Sequence, residues 1–208
     1  MLKNDDVIVF IGDSISDVKF NKITRHLCAK NSFPLQVKSN FAKRINCKFV
    51  FKGIRSNRSY DVYDRLTADC INYNPDYVFL LIGVNDAWQL YVPEQYPPIK
   101  RLLQPHFKEI LRRFKEELKP TAVVTVLLPF MTSTMPEKKP FENELAKVVN
   151  TEIELAKQYG FNCINLQALF DEAEKSQLPK DLSTDSIHPT SLGHSIIAKA
   201  VIDVLQTK

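Results

Sequence analysis

At 208 residues, 44% hydrophobic and 25% charged, the chain reads as one globular domain over 1–208, which excludes a disordered or collagen-like polymer. Its formal charge of +4 is scattered, and the densest basic points, Arg112-Arg113 and Lys138-Lys139, read as solvated faces rather than the stripe of a nucleic-acid binder. No apolar stretch suits a signal peptide or a bilayer span, and Cys28, Cys47, Cys70 and Cys163 lack metal-ligand spacing, which together suggest reduced core thiols in a cytoplasmic protein with no membrane insertion.

Strands and helices alternate along the chain. The apolar run Val7-Ile8-Val9-Phe10-Ile11 predicts a buried strand, and Val18, Ile23 and Leu27 mark a following helix. A shorter helix is expected over 37–45, after a break at Pro34, then a short strand over 48–51 and a helix over 60–73 that stops at Asn74-Pro75-Asp76. Residues 77–82 repeat the buried-strand pattern. A long connection carrying Pro93, Pro97 and Pro98 follows, and such connections are usually functional. Leu103, Phe107, Ile110, Leu111, Phe114 and Leu118 define the clearest helix, ended before Pro120. Beyond it come a strand over 121–128, a proline-rich loop over 129–140, a helix stopped by Gly160, a strand over 161–166 and a short helix over 168–174. The last helix carries Leu192, Ile196, Ile197, Val201 and Val204 on one face. This alternation predicts a parallel sheet with helices on both faces.

Three polar motifs punctuate this pattern. Gly12-Asp13-Ser14-Ile15 follows the first strand, Gly83-Val84-Asn85-Asp86 follows the third, and Asp185-Ser186-Ile187-His188-Pro189 precedes the last helix. Taken alone, Gly-Asp-Ser is ordinary turn chemistry, with Asp or Ser capping a helix. All three motifs, however, fall on one edge of the sheet, the carboxyl ends where ligands bind in open α/β folds. A serine, an asparagine and an Asp/His pair are the parts of a serine hydrolase. The histidine takes the serine proton, the aspartate orients the ring, and the asparagine amide donates to an oxyanion. His26, His106 and His194 lie in helical segments and read as structural or surface residues.

In order and spacing these blocks resemble the SGNH, or GDSL, hydrolase family across essentially the whole chain. The resemblance implies a flavodoxin-like α/β/α sandwich with a five-stranded parallel sheet and no metal or organic cofactor. It implies Ser14 as nucleophile, His188 as general base and Asp185 as the residue orienting His188. The oxyanion hole would use the Ser14 amide, the Asn85 side chain and one amide of the second block. In the family that amide comes from a glycine. Here Gly53 matches the block's first glycine, while Ser56 occupies the later glycine's place, so a positive φ there would carry a steric cost. Asp13, Gly53 and Trp88 border the expected substrate site, with Asp13 supporting the turn and Trp88 either capping a short acyl pocket or simply packing. Arg55 and Arg58 flank the oxyanion loop, where they either meet a polar substrate or serve as ordinary surface charges.

The Asn85-Asp86-Ala87-Trp88 continuation, and the segment from Tyr159 to Phe170, are similar to small intracellular carbohydrate acetyl esterases of that family. The implied activity is hydrolysis of short-chain acetyl esters on sugars through an acyl-enzyme. The partner is a small-molecule ester. A lysophospholipase or thioesterase of the same fold, and a non-catalytic binding protein on the scaffold, stay open as alternatives, as does assembly into a homo-oligomer.

Overall fold

The computed structural model describes residues 1–18, 31–95 and 103–207. Five strands form one parallel sheet in the order β2-β1-β3-β4-β5. They are β1 (Val7–Gly12), β2 (Lys48–Gly53), β3 (Tyr77–Leu81), β4 (Val123–Leu128) and β5 (Asn162–Asn165). The central strands are apolar at successive positions because both faces of the sheet are covered. Alternate side chains of β1 show the division. Val9 and Ile11 join the core under α2 (Ser59–Asp69), α3 (Val84–Tyr91), α4 (Leu103–Glu117) and α5 (Phe141–Tyr159). Ile8 and Phe10 join the opposite core, under α1 (Phe33–Phe41), α6 (Leu166–Glu174) and α8 (Ser191–Gln206). A single turn, α7 (Pro179–Leu182), leads into the Asp185–His188 segment.

Several elements differ from expectation. Pro34 does not break a helix but stands in the first turn of α1, where a missing N–H costs nothing. The long connection after β3 begins with α3, so Asn85, Asp86 and Trp88 are helical rather than in a loop. In α8 the buried face is carried by His194, Ile197, Ala198, Val201 and Leu205, whereas Leu192 is 42% exposed. Of the described cysteines only Cys70 is a core thiol, pushed up to about 12 by burial; Cys47 is half-buried and Cys163 exposed. The expected helix positions Ile23 and Leu27, with His26, Cys28, Pro97 and Pro98, lie outside the described residues. Among the described residues no helix is long and apolar enough to cross a membrane.

Candidate active site

β1 ends at Gly12 and delivers Asp13-Ser14-Ile15-Ser16 as a turn rather than a helix start. The Ser16 N–H donates to the Asp13 carbonyl at 3.2 Å, and the Ile15 N–H donates to Asp13 Oδ1 at 2.9 Å. The turn is pressed against β2. A Cβ on Gly53 would sit 2.2 Å from the backbone of Ser16 and Asp17, so only glycine allows this approach. Gly53 therefore lies beneath the turn. Asp13 is fully buried there, supporting the turn instead of facing a substrate.

The Asp185–His188 segment meets this turn from the other side. Ser14 Oγ lies 3.0 Å from His188 Nε2, and His188 Nδ1 lies 2.7 Å from Asp185 Oδ2. The second carboxylate oxygen accepts the N–H groups of His188 and Ile187 at 2.7 and 3.0 Å. Partial burial works against the Asp185 charge. The hydrogen bonds and charge of His188 outweigh it and hold the carboxyl below its usual range. An ionised Asp185 favours the ring tautomer with Nδ1 protonated, which leaves Nε2 free to accept from Ser14. A hydroxyl, an imidazole and a carboxylate linked in this order can move a proton off the serine as its oxygen attacks a carbonyl.

The segment is shaped by contacts the sequence did not announce. Ser186 adopts φ 72°, a left-handed conformation that a serine holds only when its neighbours require it. Its carbonyl accepts the Thr132 N–H at 2.9 Å and its Oγ accepts the Met135 N–H at 2.8 Å. Lys138 Nζ donates to the Asp185 carbonyl at 2.6 Å, so this lysine is not simply a solvated charge. Ser183 Oγ donates to the His188 carbonyl at 2.9 Å, and Ser183 pairs with Pro189 across the base of the segment.

On the opposite side, Asn85 lies in the first turn of α3. Its Nδ2 donates to the Asn57 carbonyl at 3.0 Å, which fixes the amide plane beside the loop after β2. Ser56 precedes Asn57 in that loop and has φ 60°, the left-handed region a glycine would occupy without strain. The adjacent arginines are engaged within the protein. Arg55 Nε lies 3.3 Å from Asp17 Oδ2, and Arg58 Nε lies 3.0 Å from Asp61 Oδ2.

Three carboxyl groups are buried behind these elements. Asp86 accepts the Ser59 N–H at 3.0 Å and Ser59 Oγ at 2.6 Å, tying α3 to the start of α2. Burial pushes Asp86 up to about 6 despite those donors, and pushes Asp13 up to about 7. Glu152 of α5 is fully buried, and neither of its oxygens has a hydrogen-bond partner among the described residues. Burial, then the nearby Asp86 and Asp13, push it well above the usual carboxylate range. It packs against the turn before Asn85: a Cβ on Gly83, which has φ 115°, would sit 2.5 Å from Glu152 Oε1.

The remaining candidates pack. Trp88 lies edge-on to Phe141 and against Tyr91, at ring separations of 5.5 and 5.6 Å. Burial, then the charge of His188, lower His194 to about 4, and its Nδ1 accepts the Phe33 N–H at 3.2 Å.

Comparison with known proteins matches residues 10–196 to the GDSL-like lipase/acylhydrolase family. An acetylxylan esterase of Geobacillus stearothermophilus is 27% identical over 205 residues, covering 94% of this chain and 91% of that protein. The crystal structure of Axe2, an acetylxylan esterase from that organism, superposes with a TM-score of 0.80 at 22% identity, covering 99% of this chain and 96% of Axe2. Three variants of Axe2, with a serine, an aspartate or a histidine replaced by alanine, are catalytic mutants of it. LAE5, an α/β hydrolase from the metagenome of Lake Arreo, superposes with a TM-score of 0.78 at 22% identity, covering 99% of each chain. The fold is that of the SGNH hydrolases, and the chain belongs to the GDSL-like lipase/acylhydrolase family, a family of carboxylic ester hydrolases.

Proposed function

We propose that this member of the GDSL-like family is a serine esterase that removes acetyl groups from carbohydrate hydroxyls. The observation that carries the mechanism is the relay from Ser14 Oγ through His188 to Asp185, at 3.0 and 2.7 Å. Ser14 attacks the ester carbonyl while His188 Nε2 takes its proton. The same proton then passes to the departing sugar oxygen as the tetrahedral intermediate collapses to an acetyl-enzyme. Water, deprotonated by His188, releases acetate and restores Ser14. Asn85 donates one amide hydrogen to Asn57 and turns the other toward the oxyanion, which also draws on the Ser14 and Ser56 backbone N–H groups.

The acetyl-carbohydrate part of the reading rests on the acetylxylan esterase relatives and on the Asn85-to-Trp88 continuation. A series of p-nitrophenyl esters from acetate to decanoate, run beside acetylated xylo-oligosaccharides, tests it. The reading predicts a steep fall in kcat/KM beyond acetate or propionate, with acetate released from the saccharides. Activity rising with chain length would favour a lysophospholipase or thioesterase, and no turnover of any ester would favour a binding protein.

A further inference from the structure

One side chain outside the family motifs touches both halves of the nucleophile-and-oxyanion region. Arg65 lies on the inner face of α2, with its side chain 15% exposed. Nη2 donates to the Gly12 carbonyl at 2.9 Å, at the point where β1 becomes the Ser14 turn. Nη1 donates to the Lys52 carbonyl at 2.9 Å, just before Gly53. Nε donates to Asn57 Oδ1 at 2.8 Å, and Asn57 presents its own carbonyl to Asn85. Asp69, one helical turn on, accepts from Nη1 at 2.8 Å and also from Lys52 Nζ at 2.7 Å.

The pattern departs from a surface ion pair in two ways. First, the guanidinium's planar fork spans two adjacent parallel strands and the loop that follows one of them, a geometry a lysine ammonium cannot copy. Second, two of its four acceptors are main-chain carbonyls at places where the chain leaves the sheet. The Gly12 carbonyl also accepts the Ile54 N–H at 3.0 Å, so the first residue of the oxyanion loop and the arginine meet on the same atom. Asp69 offsets the positive charge locally, so the guanidinium acts by fixing atoms rather than by attracting substrate.

We infer that Arg65 is a positioning residue, which holds the Ser14 turn and the Ser56–Asn57–Asn85 arm at the separation the oxyanion requires. The inference rests on the esterase reading above. Displacing such an arm by about 1 Å weakens transition-state contacts more than ground-state ones, so the effect falls on kcat.

The test is a double-mutant cycle on p-nitrophenyl acetate, with folding of each variant checked by circular dichroism and thermal unfolding. Arg65→Lys is expected to lower kcat about ten- to a hundredfold with KM changed less than about threefold. In an Asn85→Ala background, where the donor it positions is absent, the same change is expected to cost less than about threefold. Asn57→Ala reads the link from its other end: it should lower kcat, and adding Arg65→Lys should then lower it little further. An unchanged kcat in folded Arg65→Lys overturns the inference, as does an undiminished loss in the Asn85→Ala background. Should Arg65→Lys fail to fold, Asn57→Ala decides alone, and full kcat there overturns it. Failure of the esterase reading is distinguishable, because it shows in the native protein as no ester turnover or in Asn85→Ala alone as no loss.

Discussion

The two sides of the candidate site are built by different means. The side carrying Ser14, Ser56 and Asn85 is fastened to β1, β2 and the start of α2 by buried and part-buried polar groups: Arg65 on three acceptors beside the site, Asp86 on Ser59, and Asp13 under its own turn. The side carrying Asp185 and His188 hangs on a half-exposed segment. It is held by the 132–138 loop through Ser186 in a left-handed conformation and by Lys138 on the Asp185 carbonyl. The contrast follows the chemistry proposed for each side. An oxyanion hole works by preorganised donors that must not move as charge develops. A general base must instead swing its proton from the serine to a leaving oxygen, and needs only a fixed tautomer and a short reach.

The largest effect should come from breaking the base side. His188→Ala is expected to lower kcat by about four orders of magnitude or more, and Asp185→Asn by less, with both variants folded by circular dichroism. Greater damage in Asp185→Asn would reverse the roles given to the pair. On the oxyanion side, Asn85→Ala should cost roughly two to three orders of magnitude in kcat with little change in KM, measured at saturating p-nitrophenyl acetate. A loss expressed wholly in KM would make Asn85 a binding group.

The buried carboxyls sharpen the comparison through stability. Glu152 is raised in the folded state, so folding takes up a proton as pH rises above 4.5, its ordinary value, and stability is lost from there upward until the folded group ionises. Glu152→Gln removes that dependence. In urea unfolding the variant should match the native protein near pH 4 and gain on it by up to about 1.4 kcal/mol per pH unit above pH 5. A constant difference across that window would mean Glu152 is ionised in the fold. The smallest effect is reserved for Ser56. Ser56→Gly keeps the backbone N–H and relieves the φ of 60°, so kcat should hold or rise modestly while stability gains up to about 1 kcal/mol. A fall in kcat would assign the Ser56 hydroxyl a part in the site.

The sheet was legible because its inner strands are buried on both faces and read as unbroken apolar runs. Two of the polar motifs were legible because each follows such a run, and the third because its Asp/His pair stands just before the apolar stripe of the last helix. The parts that escaped depend on tertiary neighbours. Arg65 shows in the sequence only as an i, i+4 partner of Asp69, which any exposed helix offers, and its carbonyl acceptors appear only once β1 and β2 are paired. Ser186 reads as an ordinary loop serine because its left-handed φ is imposed by Thr132 and Met135. Helix α3 was masked by the prolines that follow it. Glu152 did leave a signal: it falls at helical spacing with Leu145, Val148 and Leu155 on the apolar stripe of α5, where a carboxylate is out of place.

The central claim is that Ser14 forms a covalent acyl-enzyme. Reaction with a serine-directed alkyl phosphonate, followed by intact-mass measurement and peptide mapping, tests it most directly. The account predicts one adduct per chain, on the peptide containing Ser14, formed in step with loss of esterase activity and not formed in His188→Ala at the same rate. An adduct on another serine, or full inactivation without an adduct on Ser14, would contradict it.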